Sequence, residues 1–240
     1  MSSSQKILLV LGAGKNIGQS VAKKFKDAGY KVALVSRSAH DKYAPETGYL
    51  ELRGDLANSA SIPGIFEDIK AAFGGSPNVV VYNAAALTPP DDPSNFFSIP
   101  TRSFESDLTV MNTSAFVAAR EAIAGFETLG SDTRKSFIYT GTRLAAVTSP
   151  WPLFATLGTG KSAASYWIGS ASEFFNKKEY KFYYADERTS DGHGVSLEAL
   201  SGEEAAKFYL DLAEGKQNPP WYATFVRGKG YVYFPESSRI

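Results

Sequence analysis

A short glycine-rich segment near the start of the chain, residues 12–18, has the residue types and spacing of a phosphate-binding turn. It follows an unbroken apolar run at residues 7–11 and precedes residues 20–25, which have helical character. A turn between a buried strand and a helix directs several backbone N–H groups and a helix N-terminus toward one point, where a phosphate can bind. The residues predicted to form this site are Gly12, Gly14, Lys15, Asn16, Ile17 and Gly18.

The rest of the chain supplies the elements that must position this turn. Apolar runs separated by glycine and proline breaks predict strands that alternate with helices, which is typical of a doubly wound α/β nucleotide-binding domain. The predicted strands are residues 7–11, 30–35, 48–52, 78–82, 135–142, 180–184 and 223–226, and the range 135–142 includes the residues at the exit of its strand. The predicted helices include residues 16–28, 59–73, 101–121 and 201–213. No internal repeat or linker divides the chain, so residues 1–240 are expected to form a single domain.

Composition limits the classes of function that are open to this chain. Its 240 residues suffice for one domain with a sizeable core. The 25 basic and 25 acidic residues balance, so nothing favours nucleic acid or an anionic membrane surface as a partner. Cysteine is absent, and His40 and His193 are far apart, so no metal site is expected. The apolar run at residues 7–11 is too short for a signal peptide or a membrane span, and a cytoplasmic protein is expected.

Several motifs, taken in chain order, resemble those of the short-chain dehydrogenase/reductase family. The turn at residues 12–18 is similar to the family's G-x-x-x-G-x-G, with Asn16 in place of the middle glycine. Asn tolerates left-handed backbone better than other non-glycine residues, so this exchange is mild. The run Asn83-Ala84-Ala85 resembles the family's N-A-G signature, in which small residues let the backbone lie against the cofactor. The resemblance implies a single-domain Rossmann fold with a mostly parallel seven-stranded sheet and helices on both faces.

The end of the second predicted strand, Ser36-Arg37, is where such folds select their cofactor. An acidic residue there binds the ribose hydroxyls of NAD, and a basic residue pairs with the additional phosphate of NADP. Arg37 and Lys15 are two cations without a carboxylate, so the sequence predicts NADP(H). Each charge-assisted bond is worth about 1.5–3 kcal/mol, enough for a tenfold or greater preference. The alternative is that Arg37 is a solvated loop arginine.

Asp55 and Leu56, which follow the third predicted strand, are the candidates for contact with adenine. The resemblance implies that Asp55 meets the adenine ring, with Leu56 beside it. Asp55 could also cap the helix predicted at residues 59–73, where it would accept backbone N–H bonds. The two roles are compatible.

The catalytic residues implied by the resemblance are Asn112, Thr142 and Lys161. Asn112 corresponds to an asparagine that holds a helix bulge and a water linked to the active-site lysine. Thr140 and Thr142 both stand where the family has its catalytic serine, and Thr142 is favoured. Lys161 corresponds to the lysine of Y-x-x-x-K, which also binds the nicotinamide ribose. This alignment puts Leu157 in the tyrosine position, and leucine cannot donate a proton.

A second departure follows the sixth predicted strand. The family normally has a P-G turn there, whereas this chain continues with Ala185-Asp186-Glu187-Arg188. Asp186 or Arg188 could replace the missing acid or bind substrate, although a charged loop of this kind is more often only solvated. Residues 186–200 are expected to form a lid over the substrate.

Three functions fit this combination of an intact cofactor half and an altered catalytic half. The first is an atypical NADPH-dependent reductase acting on a bulky imine, iminium, activated alkene or carbonyl, since such substrates depend less on a tyrosine proton. The second is a non-redox enzyme of the same fold, for an isomerisation, rearrangement or cycloaddition, and the third is an NADPH-binding regulator without activity. An aromatic set suits a bulky apolar substrate, with most of its rings expected in the core and only three or four expected to line a pocket: Trp151, Phe154, Trp167, Phe174, Phe175, Tyr183 and Tyr184. Family members commonly form homodimers or homotetramers, and the same is expected here.

Overall fold

The apolar run Ile7–Leu11 forms strand β1 at the centre of the sheet, and all five of its side chains are buried. In this computed structural model, residues 5–39, 42–44, 47–146 and 150–235 are described. Strand β1 pairs in parallel with β2 (Lys31–Ser36) on one side and with β5 (Val79–Tyr82) on the other. A central parallel strand is covered on both faces, which explains its uniformly apolar sequence. Residues 1–4 and His40, which entered the sequence argument, lie outside the described residues.

Among the described residues, the sheet has nine strands, of which seven are parallel, as the sequence predicts. The order across the sheet is β3-β4-β2-β1-β5-β6-β7-β8-β9. The remaining parallel strands are β4 (Tyr49–Arg53), β6 (Lys135–Thr140), β7 (Tyr180–Arg188) and β8 (Tyr222–Val226). The two strands that the sequence did not predict, β3 (Lys42–Ala44) and β9 (Gly230–Tyr231), are short antiparallel edges. Short edge strands of this kind limit pairing with other chains.

Helices cover both faces of the sheet, as expected for a doubly wound fold. One face packs against α1 (Ile17–Asp27) and α6 (Gly202–Glu214). The other face packs against α2 (Ile62–Phe73), α4 (Ser114–Phe126) and α5 (Ala155–Phe175). Short 3-10 turns occupy Ser59–Ser61, Phe96–Ser98, Arg143–Ala146, Pro152–Phe154 and Asn176–Lys178. Within the described ranges, no helix is long and apolar enough to cross a membrane.

The helix predicted at residues 101–121 is not one continuous α-helix. It consists of α3 (Thr101–Leu108), a π-helical turn at Thr109–Thr113 and then α4. The hydroxyl of Tyr82 donates to the Val110 carbonyl, and that of Tyr139 donates to the Met111 carbonyl at 2.7 Å. These two strand tyrosines therefore satisfy carbonyl groups inside the π-helical turn, and π turns of this kind are frequent at functional sites.

Strand β7 is longer than predicted and includes the residues expected to form a charged loop. It runs to Arg188, and Asp186, Glu187 and Arg188 are all buried. Residues two apart share a face of a strand, so Asp186 and Arg188 continue the face of Tyr184. The expectation of a solvated loop that begins at Ala185 is therefore wrong. The part of the predicted lid that lies beyond the strand begins at Thr189.

Candidate functional site

The glycine turn lies where β1 ends, at the carboxyl edge of the sheet. The N–H groups of Gly12 and Ala13 donate to the Val35 carbonyl at 3.1 and 3.0 Å, which ties the turn to the end of β2. Gly12 has a φ of +94°, and a Cβ there would lie 2.6 Å from the backbone nitrogen of Ala84. Only glycine fits this position, because both the backbone conformation and the neighbouring strand exclude a side chain. Gly12 therefore keeps the exits of β1 and β5 close together.

Gly14 differs from its neighbours because nothing in the described protein lies within 4 Å of where its Cβ would be. By contrast, a Cβ on Gly18 would lie 2.7 Å from the Cα of Ala13, so protein packing explains Gly18. The open space at Gly14 faces a cleft. A glycine that packing does not require, at the edge of a cleft, fits the close approach of a ligand to the backbone.

Helix α1 begins at the buried Ile17 and has no acidic residue in its first turn. A helix N-terminus without a carboxylate favours an anion through its free N–H groups and its dipole. Asn16, which precedes the helix, does not adopt left-handed backbone, since its φ is −88°. Its side chain instead accepts from Gly202 N–H and donates to the Leu200 carbonyl, both at 2.9 Å.

This geometry corrects one expectation about Asn16. The residue does not replace glycine for a left-handed backbone conformation, and its side chain is bonded to the start of α6. Its partners lie more than 180 residues away in the chain, so no local pattern could have indicated them.

The second wall of the cleft comes from the ends of β2 and β4. Arg37 is exposed there and Ser36 is half-buried, beside Asp55 and the buried Leu56. Asp55 accepts from Ala57 N–H at 3.0 Å, an Asx turn of its own loop. The cap of the following helical turn is Asn58, so the alternative that Asp55 caps this helix is wrong.

The third wall is the exit of β5, which carries Asn83-Ala84-Ala85. The Asn83 side chain donates to the Gly12 carbonyl at 2.9 Å, and its backbone N–H donates to the Leu11 carbonyl at 2.8 Å. Asn83 thus fixes the glycine turn from the opposite side to β2. The alanines carry no polar group into the cleft and let a ligand lie close to the backbone.

Together these three walls enclose a cleft of about 840 Å³ at the carboxyl edge of the sheet. Ligands of doubly wound folds bind at this edge, where the strand order reverses between β1 and β5. Ten of the predicted cofactor residues line this one cleft: Gly12, Gly14, Lys15, Ser36, Arg37, Asp55, Leu56, Asn83, Ala84 and Ala85. Asn16, Ile17, Gly18 and Lys161 are not among its lining residues. A residue that the sequence did not single out, Asp107, also lines the cleft.

The residues of this cleft fit a nicotinamide dinucleotide. Lys15 and Arg37 are exposed cations at its edge, and no acidic residue follows β2 where NAD-binding sites carry one. Near Ala85 and Val110, the lining is apolar and suits a flat ring. Gly14 leaves open space for a phosphate beside the N-terminus of α1.

The exit of β6 carries the two threonines considered for the serine position. The hydroxyl of Thr140 accepts from the Tyr209 hydroxyl of α6 at 3.0 Å, so this side chain points to the α6 face. Thr142 lies on the exit itself, and the Tyr184 hydroxyl donates to its carbonyl at 3.1 Å and accepts from its N–H at 3.0 Å. Of the two side chains, only that of Thr142 is therefore still a candidate for contact with a substrate.

Tyr184 was expected only as part of an aromatic set, yet it holds the β6 exit in place. A Cβ on Gly141 would overlap the Tyr184 ring, so glycine is required where the ring crosses the strand exit. Tyr184 also belongs to a row of four tyrosine rings, Tyr82, Tyr139, Tyr184 and Tyr222, with neighbouring centroids 5.0–5.7 Å apart. The row has one ring from each of four neighbouring strands and depends on the register that places them side by side.

Lys161 lies on the inner face of α5 and is only 3 % exposed. Its ammonium nitrogen donates to the Thr140 carbonyl at 2.8 Å and lies 4.4 Å from the centre of the Tyr139 ring. Burial lowers the pKa of Lys161 from 10.5 to about 7, although the negative charge of Asp186 opposes this effect. The side chain can therefore gain or lose a proton near neutral pH.

Asp186 and Arg188 form a buried ion pair on the same side of the sheet as Lys161. The Arg188 Nε donates to an Asp186 carboxylate oxygen at 2.7 Å, and Tyr222 donates to the same oxygen at 3.4 Å. Burial raises the pKa of Asp186 to about 6, and the neighbouring Arg188 limits the rise. Asp186 is 1 % exposed, so it does not reach the surface in this structure.

Leu157 occupies the position where the alignment on Lys161 would place a tyrosine. It is buried on the inner face of α5, one turn before Lys161. Its neighbour Thr156 accepts from the N–H of Thr88 at 3.1 Å, so this turn of α5 is joined to the loop after β5. Leu157 supplies packing at this position and no proton.

Asn112 is within the π-helical turn, but its side chain faces α5. The side-chain Oδ1 of Asn112 accepts a hydrogen bond from the indole N–H of Trp167 at 3.0 Å. The turn carbonyls that face the sheet belong to Val110 and Met111. The expectation that Asn112 marks a helix bulge agrees with the structure, while its side chain supports the packing of α5.

His193 lies within residues 186–200, the segment expected to form a lid. Its Nδ1 lies 2.6 Å from a guanidinium nitrogen of Arg143, which follows Thr142 on the β6 exit. Its Nε2 lies 3.6 Å from the carboxylate of Asp191. Thr189 N–H donates to the His193 carbonyl at 2.9 Å, so a short turn brings the imidazole back toward the site.

The rings of the aromatic set are divided among different places. Tyr184 is in the core on the α5 face of the sheet, with the partly buried Phe175 packed against this core, and Tyr183 is in the core on the α6 face. Trp151 and Phe154 line an apolar pocket of about 500 Å³ on the outer side of α5. The helix positions that line this pocket are Ala155, Gly158, Thr159 and Ser162, opposite the face that carries Leu157 and Lys161. Two rings of the set therefore line this pocket, whereas three or four were expected.

A family model described as enoyl-(acyl carrier protein) reductase matches residues 12–149, more than half of the chain. The chain is 40 % identical over 250 residues to a short chain dehydrogenase/reductase, dmxR12, of Cryptosporiopsis sp. strain 8999. The match covers 99 % of this chain and 98 % of the relative. The chain belongs to the short-chain dehydrogenase/reductase family. It is therefore related to oxidoreductases.

Solved structures of other short-chain dehydrogenases/reductases share this fold. The NADPH-dependent 3-quinuclidinone reductase of Rhodotorula rubra superposes with a TM-score of 0.73 at 20 % identity, over 92 % of this chain and 89 % of that one. The NADH-dependent reductase A1-R′ superposes with a TM-score of 0.75 at 18 % identity, over 93 % and 96 %. These two proteins use different nicotinamide cofactors, so the shared fold does not determine which one this short-chain dehydrogenase/reductase prefers.

Proposed function

We propose that this protein is an NADPH-dependent reductase whose reaction does not use a tyrosine acid. One observation carries the proposal: the cleft at the carboxyl edge combines the glycine turn with two exposed cations, Lys15 and Arg37. A dinucleotide with an additional phosphate places negative charge at both points, and each cation can form a charge-assisted bond with it. Asp55, Asn83 and the alanines that follow complete the proposed site for the dinucleotide.

The proposed catalytic residues are Lys161, Asp186, Thr142 and Asn112. When bound, the reduced nicotinamide supplies a hydride to an electrophilic carbon of the substrate. Lys161 holds a proton at its Nζ near neutral pH, since its pKa is about 7, which suits a general acid. Asp186 stabilises the charged form of Lys161 through its own negative charge. Thr142 orients the substrate, and Asn112 positions α5 through Trp167.

The proposed substrate is an imine, an iminium or an activated alkene. For a neutral imine, the hydride adds to carbon and a proton adds to nitrogen, and in this protein Lys161 supplies the proton. An iminium already carries its positive charge and needs only the hydride. We propose that residues beyond Arg188, up to about residue 200, close over such a substrate, with His193 and Arg143 at their base.

The test is NADPH consumption with a neutral imine, a permanently charged iminium and an activated alkene. With the neutral imine, the rate should fall about tenfold per pH unit above about pH 7, because Lys161 then loses its proton. With the iminium, the rate should not fall over the same range. The Lys161→Met variant should lose activity toward the neutral imine and retain part of its activity toward the iminium. If the protein binds NADPH but consumes it with none of these three substrates, the redox proposal is contradicted.

We also propose that the protein forms a homodimer or homotetramer through α4 and α5. Phe116, Tyr166 and Phe174 are 55, 75 and 80 % exposed on these helices, and large exposed aromatic side chains mark interaction surfaces. Light scattering coupled to size-exclusion chromatography tests this directly. A Tyr166→Glu variant should dissociate, and an exclusively monomeric wild-type protein would contradict the proposal.

A further inference from the structure

The apolar pocket of about 500 Å³ on the outer side of α5 is separate from the cleft of the glycine turn. Phe96, Trp151 and Phe154 give it an aromatic wall, and Leu144 and Ala145 form the side next to the exit of β6. This cavity is named the Trp151 pocket. None of its described lining residues is charged, and it shares none of them with the cleft. Its volume and composition are typical of a site for a small apolar molecule.

Gly158, on the α5 side of the Trp151 pocket, is a glycine that packing does not require. A Cβ on Gly160 would lie 2.8 Å from Met111, and a Cβ on Gly169 would lie 2.8 Å from the Trp221 ring, so close neighbours explain both of these helical glycines. At Gly158, no described residue packed against the helix lies within 4 Å of where the Cβ would be. Glycine is less favourable in a helix than alanine, so the missing side chain at this position fits space kept for a ligand.

The side chains around the pocket indicate the chemical class of that ligand. Trp151 is 64 % exposed and Phe96 is 45 % exposed, and exposed apolar side chains that lie together mark interaction sites. A flat aromatic ring would cover them. Thr159 and Ser162 offer hydroxyl groups that can orient an uncharged ligand. An ionised group would lose hydration there without meeting an opposite charge among the described lining residues, so the pocket favours an uncharged ligand.

The Trp151 pocket adjoins the residue proposed to orient the substrate. Leu144, which lines the pocket, is two residues from Thr142 in the chain, and its N–H lies 3.5 Å from the Thr142 hydroxyl oxygen. Two residues of chain span at most about 7 Å, a distance that a two-ring aromatic group can bridge. A molecule whose reacting carbon lies at Thr142 can therefore place an attached aromatic group in the pocket.

We propose that the Trp151 pocket binds an uncharged aromatic group of the substrate and selects substrates that carry this group next to the reacting carbon. The inference rests on the proposed function, because it requires a reaction beside Thr142. It narrows the substrate from imines in general to imines with an uncharged aromatic substituent. Phe116, Tyr166 and Phe174, which are proposed to contact a second copy of the chain, do not line this pocket.

The first experiment compares three cyclic imines that resist hydrolysis: 2-methyl-1-pyrroline, 2-(2-naphthyl)-1-pyrroline, and the naphthyl compound with a carboxylate on its outer ring. The wild-type protein should reduce the naphthyl imine with a kcat/KM at least about tenfold above that of the methyl imine, mainly through a lower KM, because the pocket binds the ring. The carboxylate should cancel this advantage, because none of the described lining residues is a cation.

Gly158→Leu tests whether this advantage comes from the pocket. The leucine should fill the open space and reduce the kcat/KM ratio of the naphthyl to the methyl imine to about twofold or less. Gly64→Leu is the matched control, because Gly64 is an exposed glycine of α2 with the same open space, outside the pocket. The control should keep the wild-type ratio. Neither substitution should lower the thermal unfolding temperature, because leucine favours helix more than glycine does.

The second experiment measures binding without turnover. The uncharged probe 2-methoxynaphthalene should bind the wild-type protein at least about tenfold more tightly than the anion 2-naphthoate, as followed by fluorescence titration. The naphthyl imine should displace this probe, and Gly158→Leu should lose the binding.

The outcomes separate this inference from the proposed function. Reduction of the methyl imine without an advantage for the naphthyl imine overturns the inference and leaves the proposed function standing, and so does an unchanged ratio in folded Gly158→Leu. The wild-type comparison needs no variant, so it decides the matter even if a substitution impairs folding. Reduction of no imine despite NADPH binding overturns the proposed function, whereas probe binding that Gly158→Leu removes still supports an aromatic site.

Two further results of the binding experiment would overturn the inference. Probe binding that the naphthyl imine does not displace would assign the pocket to a ligand other than the substrate. Probe binding by Tyr166→Glu and not by the wild-type protein would show that a second copy of the chain covers the pocket.

Discussion

Replacing Lys161 by methionine should change how the stability of the protein depends on pH. The pKa of Lys161 is about 7 in the folded protein, compared with an ordinary value of 10.5. Between these values the unfolded chain binds a proton that the folded protein does not, so the free energy of unfolding rises with pH across this window. This pKa difference corresponds to at most about 5 kcal/mol in the free energy of unfolding. Below about pH 7 the folded protein is destabilised by the full amount.

Chemical denaturation at fixed ionic strength, from about pH 6 to about pH 9.5, measures this effect. Lys161→Met removes the titrating group, so the free energy of unfolding of the variant should exceed that of wild type by several kcal/mol at the acidic end. The lost hydrogen bond to Thr140 should reduce this gain by about 1–2 kcal/mol. The gain should shrink steadily as the pH rises. Lys207→Met, at an exposed position of α6, is the matched control and should follow the wild-type curve.

Parallel curves for wild type and Lys161→Met would refute the reasoning. They would mean that Lys161 keeps an ordinary pKa in the folded protein and is charged throughout this range. In that case Lys161 would keep its proton throughout this range and be a weaker acid, and the predicted fall in neutral-imine reduction above about pH 7 would have no physical basis.

Four further substitutions test the local geometry. Gly14→Ala should leave thermal unfolding unchanged but weaken NADPH binding at least tenfold, because its Cβ would enter the cleft. Gly12→Ala should instead lower the free energy of unfolding by about 1–3 kcal/mol, because of backbone strain at φ +94°. An equal loss of stability in both variants would contradict this distinction. Asn16→Ala should lower the free energy of unfolding by about 1–3 kcal/mol, since it breaks two bonds to the start of α6, and an unchanged denaturation midpoint would argue against that role. Tyr184→Phe should cost about 1–3 kcal/mol, because it leaves the N–H of Thr142 unpaired, and no loss in urea denaturation would show that water replaces the hydroxyl.

The layout of the sheet could be predicted from the sequence because its signals are local. Apolar runs such as Ile7–Leu11 are expected only for strands buried on both faces, and the glycine turn marks the start of α1. The cofactor cleft could be predicted for the same reason, since its walls follow directly on the predicted strands. Asp55 and Asn83 lie in the cleft because the carboxyl ends of parallel strands meet at one edge.

The remaining features depend on pairings that no local pattern reveals. Charged residues such as Asp186 and Arg188 are rarely buried, so the sequence indicated a loop, and only their mutual ion pair allows β7 to continue through them. Asn16 could be interpreted as a glycine substitute because its partners on α6 are distant in the chain. Asp107 gave no signal at all, since an acidic residue in a helix is ordinarily exposed.

The central claim is that the cleft prefers NADPH because of Arg37. The most direct measurement is a fluorescence titration of the wild-type protein with NADPH and NADH, repeated on Arg37→Ala and on Arg102→Ala, an exposed arginine of α3 outside the cleft. The account predicts that wild type prefers NADPH, that Arg37→Ala weakens NADPH binding at least tenfold with little effect on NADH, and that Arg102→Ala behaves as wild type. Equal affinity of wild type for the two cofactors, or an Arg37→Ala variant that binds NADPH as tightly as wild type does, would contradict it.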